Sequence, residues 1–247
     1  MLIMHASAVV TGAASGLGAA TSRALADAGY QVYGFDLAAE CEKDPRITYL
    51  QVDVTDPEQV RNAIAGIEDP LRVAINCAGI CPSMRIVGRK GPHDPGLFAT
   101  TINVNLLGTF HVLTYAAEKM AGQEPMDADK QRGVIINTAS VAAFEGQIGQ
   151  AAYAASKGAV HALSICAARD LAGVGIRVNA IAPGIVATPM MAGISPEYRE
   201  ELEKLVQFPA RMAKPEEYAQ LALSIVSNPY LNGETIRLDG ALRMPPR

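Results

Sequence analysis

A chain of 247 residues with 49% apolar side chains has the material for one large α/β domain or two small ones. Its net charge of -4 offers no basic surface to nucleic acid or anionic lipid, and no apolar run approaches the roughly 18 residues a membrane helix needs. Only Met1 to His5 precede the first strand, too few for a signal or transit peptide, and Cys41, Cys77, Cys81 and Cys166 show neither zinc spacing nor a disulfide framework, so a reduced, soluble, cytoplasmic protein without a metal is expected.

Ala6 to Thr11 reads as a short buried strand. It runs into Thr11-Gly-Ala-Ala-Ser-Gly-Leu-Gly18 and then an Ala-rich helix that ends at Gly29. Strand, glycine turn and helix make a dinucleotide-binding unit. Gly12 permits the tight turn, Gly16 lets the backbone approach a pyrophosphate, and Gly18 lets the helix pack closely. The helix N-terminus offers oriented N–H groups to phosphate. Gln31 to Phe35 is the second strand, with Asp36 at its end, where a carboxylate accepts hydrogen bonds from the adenosine ribose and repels a 2′-phosphate. A capping role in a turn is the alternative for Asp36. Ile47 to Val52 is the third strand, followed by Asp53, placed for the adenine end, and by Asp56-Pro57 with Gln59, a helix start.

Leu71 to Asn76 forms the fourth strand and leads into Asn76-Cys-Ala-Gly79, whose small residues let backbone approach a cofactor. Cys77 and Cys81 read as small buried residues flanking a turn. Residues 81–98 look irregular and locally basic, with Arg85, Arg89, Lys90 and His93. A long helix over 97–120 carries Asn103, Asn105 and His111. Asparagine is a poor helix former, so Asn105 at mid-helix implies a job for its side chain. Residues 121–132 are polar and read as a surface insertion.

Val134 to Ile136 is the next buried strand. It runs out through Ser140, across a Gly-rich loop, and into a helix carrying Tyr153 and Lys157. Residues four apart share a helical face, with Cβ atoms about 5–6 Å apart. A free phenol titrates near about 10 and a nearby cation lowers that value, which makes a tyrosine a usable acid/base. Ser140, at a strand's carboxyl end, can hold the oxygen that Tyr153 protonates. Such Tyr/Lys pairs also arise on solvated helix faces, so the pair alone assigns nothing. His161 and Cys166 read as packing or surface residues. The helix ends near Ala172. Gly175 to Ile181 is another strand, with the rigid turn Pro183-Gly184 after it. Residues 190–212 form a helical excursion suited to a substrate lid, a helix begins near Pro215, and Glu234 to Leu238 closes the strand set. Alternating strands and helices without repeats predict one domain, 1–247, with a doubly wound parallel sheet of about seven strands and helices on both faces.

With these residues assembled, the chain resembles the short-chain dehydrogenase/reductases, which have a Rossmann fold. The matching motifs are Thr11-Gly12-x-x-x-Gly16-x-Gly18, Asn76-x-Ala78-Gly79, Asn105, Ser140, Tyr153-x-x-x-Lys157 and Pro183-Gly184, in the family's order over essentially the whole chain. It is similar in particular to the type-2 3-hydroxyacyl-CoA dehydrogenase branch, through 131–146, Ala168-Arg-Asp-Leu171 and 228–240. The resemblance implies an NAD-dependent enzyme interconverting a secondary alcohol and a ketone, with 3-hydroxyacyl-CoA as substrate. It makes Tyr153 the acid/base, Lys157 its activator and a ribose ligand, and Ser140 the group that polarises the substrate oxygen. Asn105 holds a relay water, and Thr188 contacts the nicotinamide carboxamide. Ser15, Leu17, Val54, Asn76, Ala78, Gly79, Pro183 and Gly184 join the glycines, Asp36 and Asp53 as cofactor contacts. Residues 38–46 are shorter than in that branch, and 81–98 agrees poorly with it. The alternatives are a 3-oxoacyl thioester reductase, which Asp36 disfavours, a hydroxysteroid or short-alcohol dehydrogenase, and a dinucleotide-sensing regulator, which the intact Asn105, Ser140, Tyr153 and Lys157 disfavour. The resemblance also implies a homotetramer, for which the Ala-rich faces of 106–117 and 151–168 allow close helix approach.

Overall fold

The computed structural model describes residues 6–38, 44–89, 91–191 and 195–245. Cys41, Lys90 and Ile194 lie outside the described residues. The strands are β1 Ser7–Thr11, β2 Gln31–Asp36, β3 Ile47–Gln51, β4 Leu71–Asn76, β5 Val87–Gly88, β6 Gly91–Pro92, β7 Gly133–Thr138, β8 Ile176–Pro183 and β9 Thr235–Leu238. The α-helices are α1 Gly16–Asp27, α2 Pro57–Ala65, α3 Pro95–Ile102, α4 Gly108–Ala121, α5 Ala151–Ala172, α6 Pro196–Lys204 and α7 Pro215–Ser227.

Seven strands form one parallel sheet in the order β3-β2-β1-β4-β7-β8-β9. Its central strands are buried along their whole length, as β1, β7 and β8 show. This is the reason they read as unbroken apolar runs: a parallel sheet is covered on both faces. Successive side chains go to opposite sides. Val9, Ile135 and Val178 join Val112, Met120 and Ala167 on one face. Val10, Ile136 and Ile181 join Leu25, Tyr218 and Ile225 on the other. The strand order reverses between β1 and β4, so the carboxyl ends of these strands border a crevice at a topological switch point.

Three local features depart from the sequence expectation. The helix expected over 97–120 starts at Pro95, because the Asp94 carboxylate accepts the Gly96 N–H at 2.8 Å and Pro95 stands at the first helical position. It also contains a π turn, Asn103–Leu107, between α3 and α4. The irregular 81–98 stretch holds the antiparallel β5–β6 hairpin. Counted through the π turn, the helix of 27 residues from Pro95 to Ala121 has the length and apolarity of a membrane span. It is a core element here, with Val112, Ala116 and Met120 fully buried against the sheet.

Candidate active site

The crevice opens into a cavity of about 1330 Å³ that runs from the glycine turn past β4 and β7 to the segment after β8. At one end lies the turn between β1 and α1. Gly12 has φ +67°, and a Cβ there would stand 3.0 Å from the Ala78 backbone nitrogen. A Cβ on Gly18 would overlap the Gly12 carbonyl oxygen, so only glycine lets α1 begin so close to the turn. Gly16 has φ +53° and faces Thr188, where a Cβ would meet the threonine side chain at 3.3 Å. The Ser15 side chain does not cap α1. The first-turn amides therefore have no side-chain cap, and Gly16, Leu17 and Gly18 line the cavity, a cradle for phosphate.

Asp36 ends β2 beside this cradle. Its carboxylate accepts the Ala14 N–H at 2.9 Å and the Ala38 N–H at 3.0 Å, which fixes it at the cavity wall. Asp53 accepts both the N–H and the hydroxyl of Thr55, and lies with Val54 on the same wall. His111 on α4 bonds the Val54 carbonyl at 2.9 Å and steadies that loop. A glycine cradle with free amides, followed by a ribose-accepting carboxylate, fits a dinucleotide.

The other wall carries the chemistry. Ser140 ends the run out of β7 and hydrogen-bonds the Tyr153 side chain, while its Oγ accepts the Ala142 N–H at 3.1 Å. Lys157 is buried, with its ammonium on the Thr138 carbonyl at 2.7 Å and 5.9 Å from the centre of the Tyr153 ring. Tyr153 is held high, not low, and burial is the main reason. Tyr153 is half-buried and lines the cavity, and desolvation pushes its phenol up to about 12, with the Ser140 hydrogen bond opposing. Burial also draws Lys157 down to about 8. Desolvation penalises the charged form of each group, hence the opposite signs.

Asn105 stands in the π turn, buried, with its side chain fully engaged. Oδ1 accepts the Ile80 N–H at 2.8 Å, and Nδ2 donates to the Ile80 carbonyl at 2.9 Å and to Ser156 Oγ at 3.0 Å. With the carboxamide so engaged, it ties the loop after β4 to the catalytic helix.

Gly12, Ser15, Gly16, Leu17, Gly18, Asp36, Asp53, Val54, Ala78, Gly79, Ser140, Tyr153, Lys157, Pro183, Gly184 and Thr188 all line the one cavity. Asn105 does not line it, and neither does Asn76. The Asn76 Nδ2 donates to Asn137 Oδ1 at 3.0 Å, and Asn137 in turn reaches Ser164, so the side chain is committed to a ladder inside the sheet, while Ala78 and Gly79 after it line the cavity. Cys77 and Cys81 are half-buried in the cavity wall rather than fully buried, and Cys77 also packs against the core. His161 packs on Phe144 and bonds Thr235 at 2.9 Å; Cys166 is exposed. In the stretch expected to be a lid, Met190, Met191 and Leu202 line the cavity, Leu205 packs on a small cluster beneath, and Phe208 is 84% exposed. Sequence reasoning missed Ser156, whose hydroxyl also bonds the Tyr153 carbonyl at 2.7 Å, and Thr138, whose carbonyl takes the lysine. Ser156 adjoins Lys157, and its turn of helix was the one available signal.

A family model described as short chain dehydrogenase matches residues 6–199. The 3-hydroxyacyl-CoA dehydrogenase type-2 of Homo sapiens is 46% identical over 250 residues, which cover 97% of this chain and 95% of that protein. Its namesake in Drosophila melanogaster is 44% identical over 256 residues, 99% of this chain and 100% of that one. The crystal structure of 3-hydroxyacyl-CoA dehydrogenase type-2 from Mycobacterium avium matches with a TM-score of 0.94 and 42% identity over 98% of each chain. The chain therefore belongs to the short-chain dehydrogenase family, and it is an oxidoreductase that works with a nicotinamide dinucleotide.

Proposed function

We propose that the protein is an NAD-dependent dehydrogenase that interconverts 3-hydroxyacyl-CoA and 3-oxoacyl-CoA. The observation that carries this reading is the meeting of Ser140, Tyr153 and Lys157 on one wall of the cavity whose far end holds Asp36. The names of the relatives support the substrate class.

When bound, the dinucleotide supplies a nicotinamide ring that takes up or returns a hydride. The Gly12–Gly18 turn holds its phosphates, Asp36 and Asp53 its adenosine end, and Thr188, Pro183 and Gly184 the nicotinamide end. Lys157 serves as a ribose ligand and a fixed cation. Ser140 and Tyr153 present two hydroxyls to one substrate oxygen. In oxidation Tyr153 receives the hydroxyl proton, and in reduction it returns it to the nascent alkoxide. A phenol held up to about 12 is protonated at neutral pH, ready as the acid for reduction, and oxidation gains as pH rises. Asp36 selects NAD because its carboxylate repels a 2′-phosphate. The same carboxylate disfavours a reductase of fatty-acid synthesis. A homotetramer belongs to the same reading.

Two arginines suit the CoA phosphates. Arg85 lines the cavity, and Arg85 and Arg89 are exposed with no carboxylate partner among the described residues. Arginine reads phosphate bidentately. The test is turnover with NAD and with NADP across 3-hydroxyacyl-CoAs, hydroxysteroids and short secondary alcohols. NAD and the acyl-CoAs are expected to win. Arg85→Ala with Arg89→Ala is expected to raise KM for the acyl-CoAs and spare the uncharged alcohols. A preference for NADP, or no oxidation of any acyl-CoA, overturns the reading.

A further inference from the structure

The segment after β9 ends beside the active site. The chain reverses sharply at Gly240 and Ala241, both with positive φ, and Leu242 is fully buried against Ile185, Leu202 and Val206 beneath the α6 region. Met244 and Pro245 then line the same cavity as Ser140 and Tyr153. This return is fastened by side chains. Glu145, five residues after Ser140, accepts Arg237 Nη1 at 2.9 Å and Nη2 at 3.2 Å, and its Oε2 also accepts the main-chain N–H of Met244 at 2.9 Å. Arg237 donates to Asp239 at 2.7 Å and to the Leu242 carbonyl at 3.0 Å, and its guanidinium lies 5.3 Å from the centre of the Phe144 ring. Arg243 completes the cluster at 3.1 Å from Asp239 and 3.6 Å from Glu145. The side chains of Glu145, Arg237 and Asp239 are 23%, 21% and 8% exposed, so the pairing is sheltered from solvent and from salt.

One carboxylate thus grips a backbone amide 99 residues further along the chain. A surface ion pair would have no reason to hold that amide. Glu145 itself lines the cavity, on the loop that leads from Ser140 to the catalytic helix. We infer that Glu145 and Arg237 hold the segment after β9 as the outer wall of the substrate end, and that Met244 sets the length of chain this end accepts. Methionine suits the place, since its flexible thioether shapes itself to an apolar chain. The inference rests on reading this end of the cavity as the substrate site. Its dependence on acyl-CoA is separable, because any secondary alcohol with a long chain meets the same wall.

The test is steady-state kinetics with NAD on two graded series, 3-hydroxyacyl-CoAs and 2-alkanols, for the wild type, Met244→Trp, Met244→Ala, Glu145→Ala and Glu145→Gln. Met244 is only partly buried, so its variants are expected to fold, which their melting temperatures check. Met244→Trp is expected to lower kcat/KM by a factor that grows with chain length to about tenfold or more at the longest members. Met244→Ala is expected to shift the optimum to longer chains. Glu145→Ala is expected to raise KM for long chains with kcat little changed, and Glu145→Gln, which keeps an oxygen for the Met244 amide, to recover part of that loss. The same dependence in 2-alkanols alone, with no acyl-CoA turned over, supports the wall and removes the acyl-CoA reading. Equal effects at every length, no effect in either series, or a wild type inert to both overturns the inference.

Discussion

Lys157 is buried with its ammonium on a single carbonyl oxygen, that of Thr138. A cation so placed is destabilising, and is kept where its chemistry requires it. Its folded value is drawn down to about 8 from 10.5, so the unfolded chain binds more protons between those two values. Stability therefore rises with pH across that window, and below about 8 the penalty is present in full. At neutral pH the cost has an upper bound of about 3 kcal/mol, partly offset by the roughly 1 kcal/mol of the bond to Thr138. Lys157→Met is accordingly expected to be inactive yet to melt a few degrees higher than the wild type at pH 7, with the gap closing towards pH 10. Calorimetry at the two pH values checks this, and a variant less stable at pH 7 shows that the ammonium holds the fold together. From sequence, the four-residue spacing placed Lys157 and Tyr153 on one face. It could not show that burial would dominate both groups, because burial is decided by strands and loops far away in the chain.

The turn between β1 and α1 was legible because its requirements are local. Glycines at 12, 16 and 18 are what a tight turn, a positive φ and a close helix start demand, and Gly18 has the sternest constraint, with the Gly12 carbonyl where its Cβ would be. Gly18→Ala is expected to destabilise the protein by about 1–3 kcal/mol through overpacking and to weaken dinucleotide binding at least about tenfold. Gly173→Ala is the control, since nothing lies within 4 Å of its position. Thermal melts and dinucleotide titration read both variants, and equal behaviour would mean that the turn does not bind the cofactor. The π turn was not legible. It is held by Asn105 bonds to residues 25 and 51 positions away, and only the oddity of asparagine at mid-helix pointed to it. The bond of the Asn76 side chain was hidden for the same reason: its partner Asn137 is 61 residues distant, on the neighbouring strand.

At the scale of the molecule, the parallel sheet followed from alternating buried strands and helices, and its order puts every carboxyl end that matters on one crevice. The assembly was harder to read. Of the alanines on the two faces expected to admit a neighbouring subunit, Ala116, Ala117, Ala152, Ala167 and Ala168 are buried within this one, while Ala155 and Ala162 are exposed. Larger apolar residues also face outward, Leu107 at 42%, Phe110 at 46% and Ile165 at 36% exposure, on the π turn, α4 and α5. Side chains of this kind on packed neighbouring elements suit a subunit contact. Light scattering is expected to give a tetramer, and Phe110→Asp a smaller species. A monomeric wild type would contradict the tetramer.

The most direct test of the proposed chemistry compares NAD reduction by the wild type and by Tyr153→Phe on one 3-hydroxyacyl-CoA, with dinucleotide affinity and melting temperature measured on the same samples. The substitution keeps the ring and removes the transferable proton. The predicted result is a wild type that turns over and a variant slower by about 10²–10⁴-fold, with affinity and stability unchanged. A variant as fast as the wild type would contradict the assignment of Tyr153 as the acid/base, and a wild type that leaves NAD unreduced would contradict the activity itself.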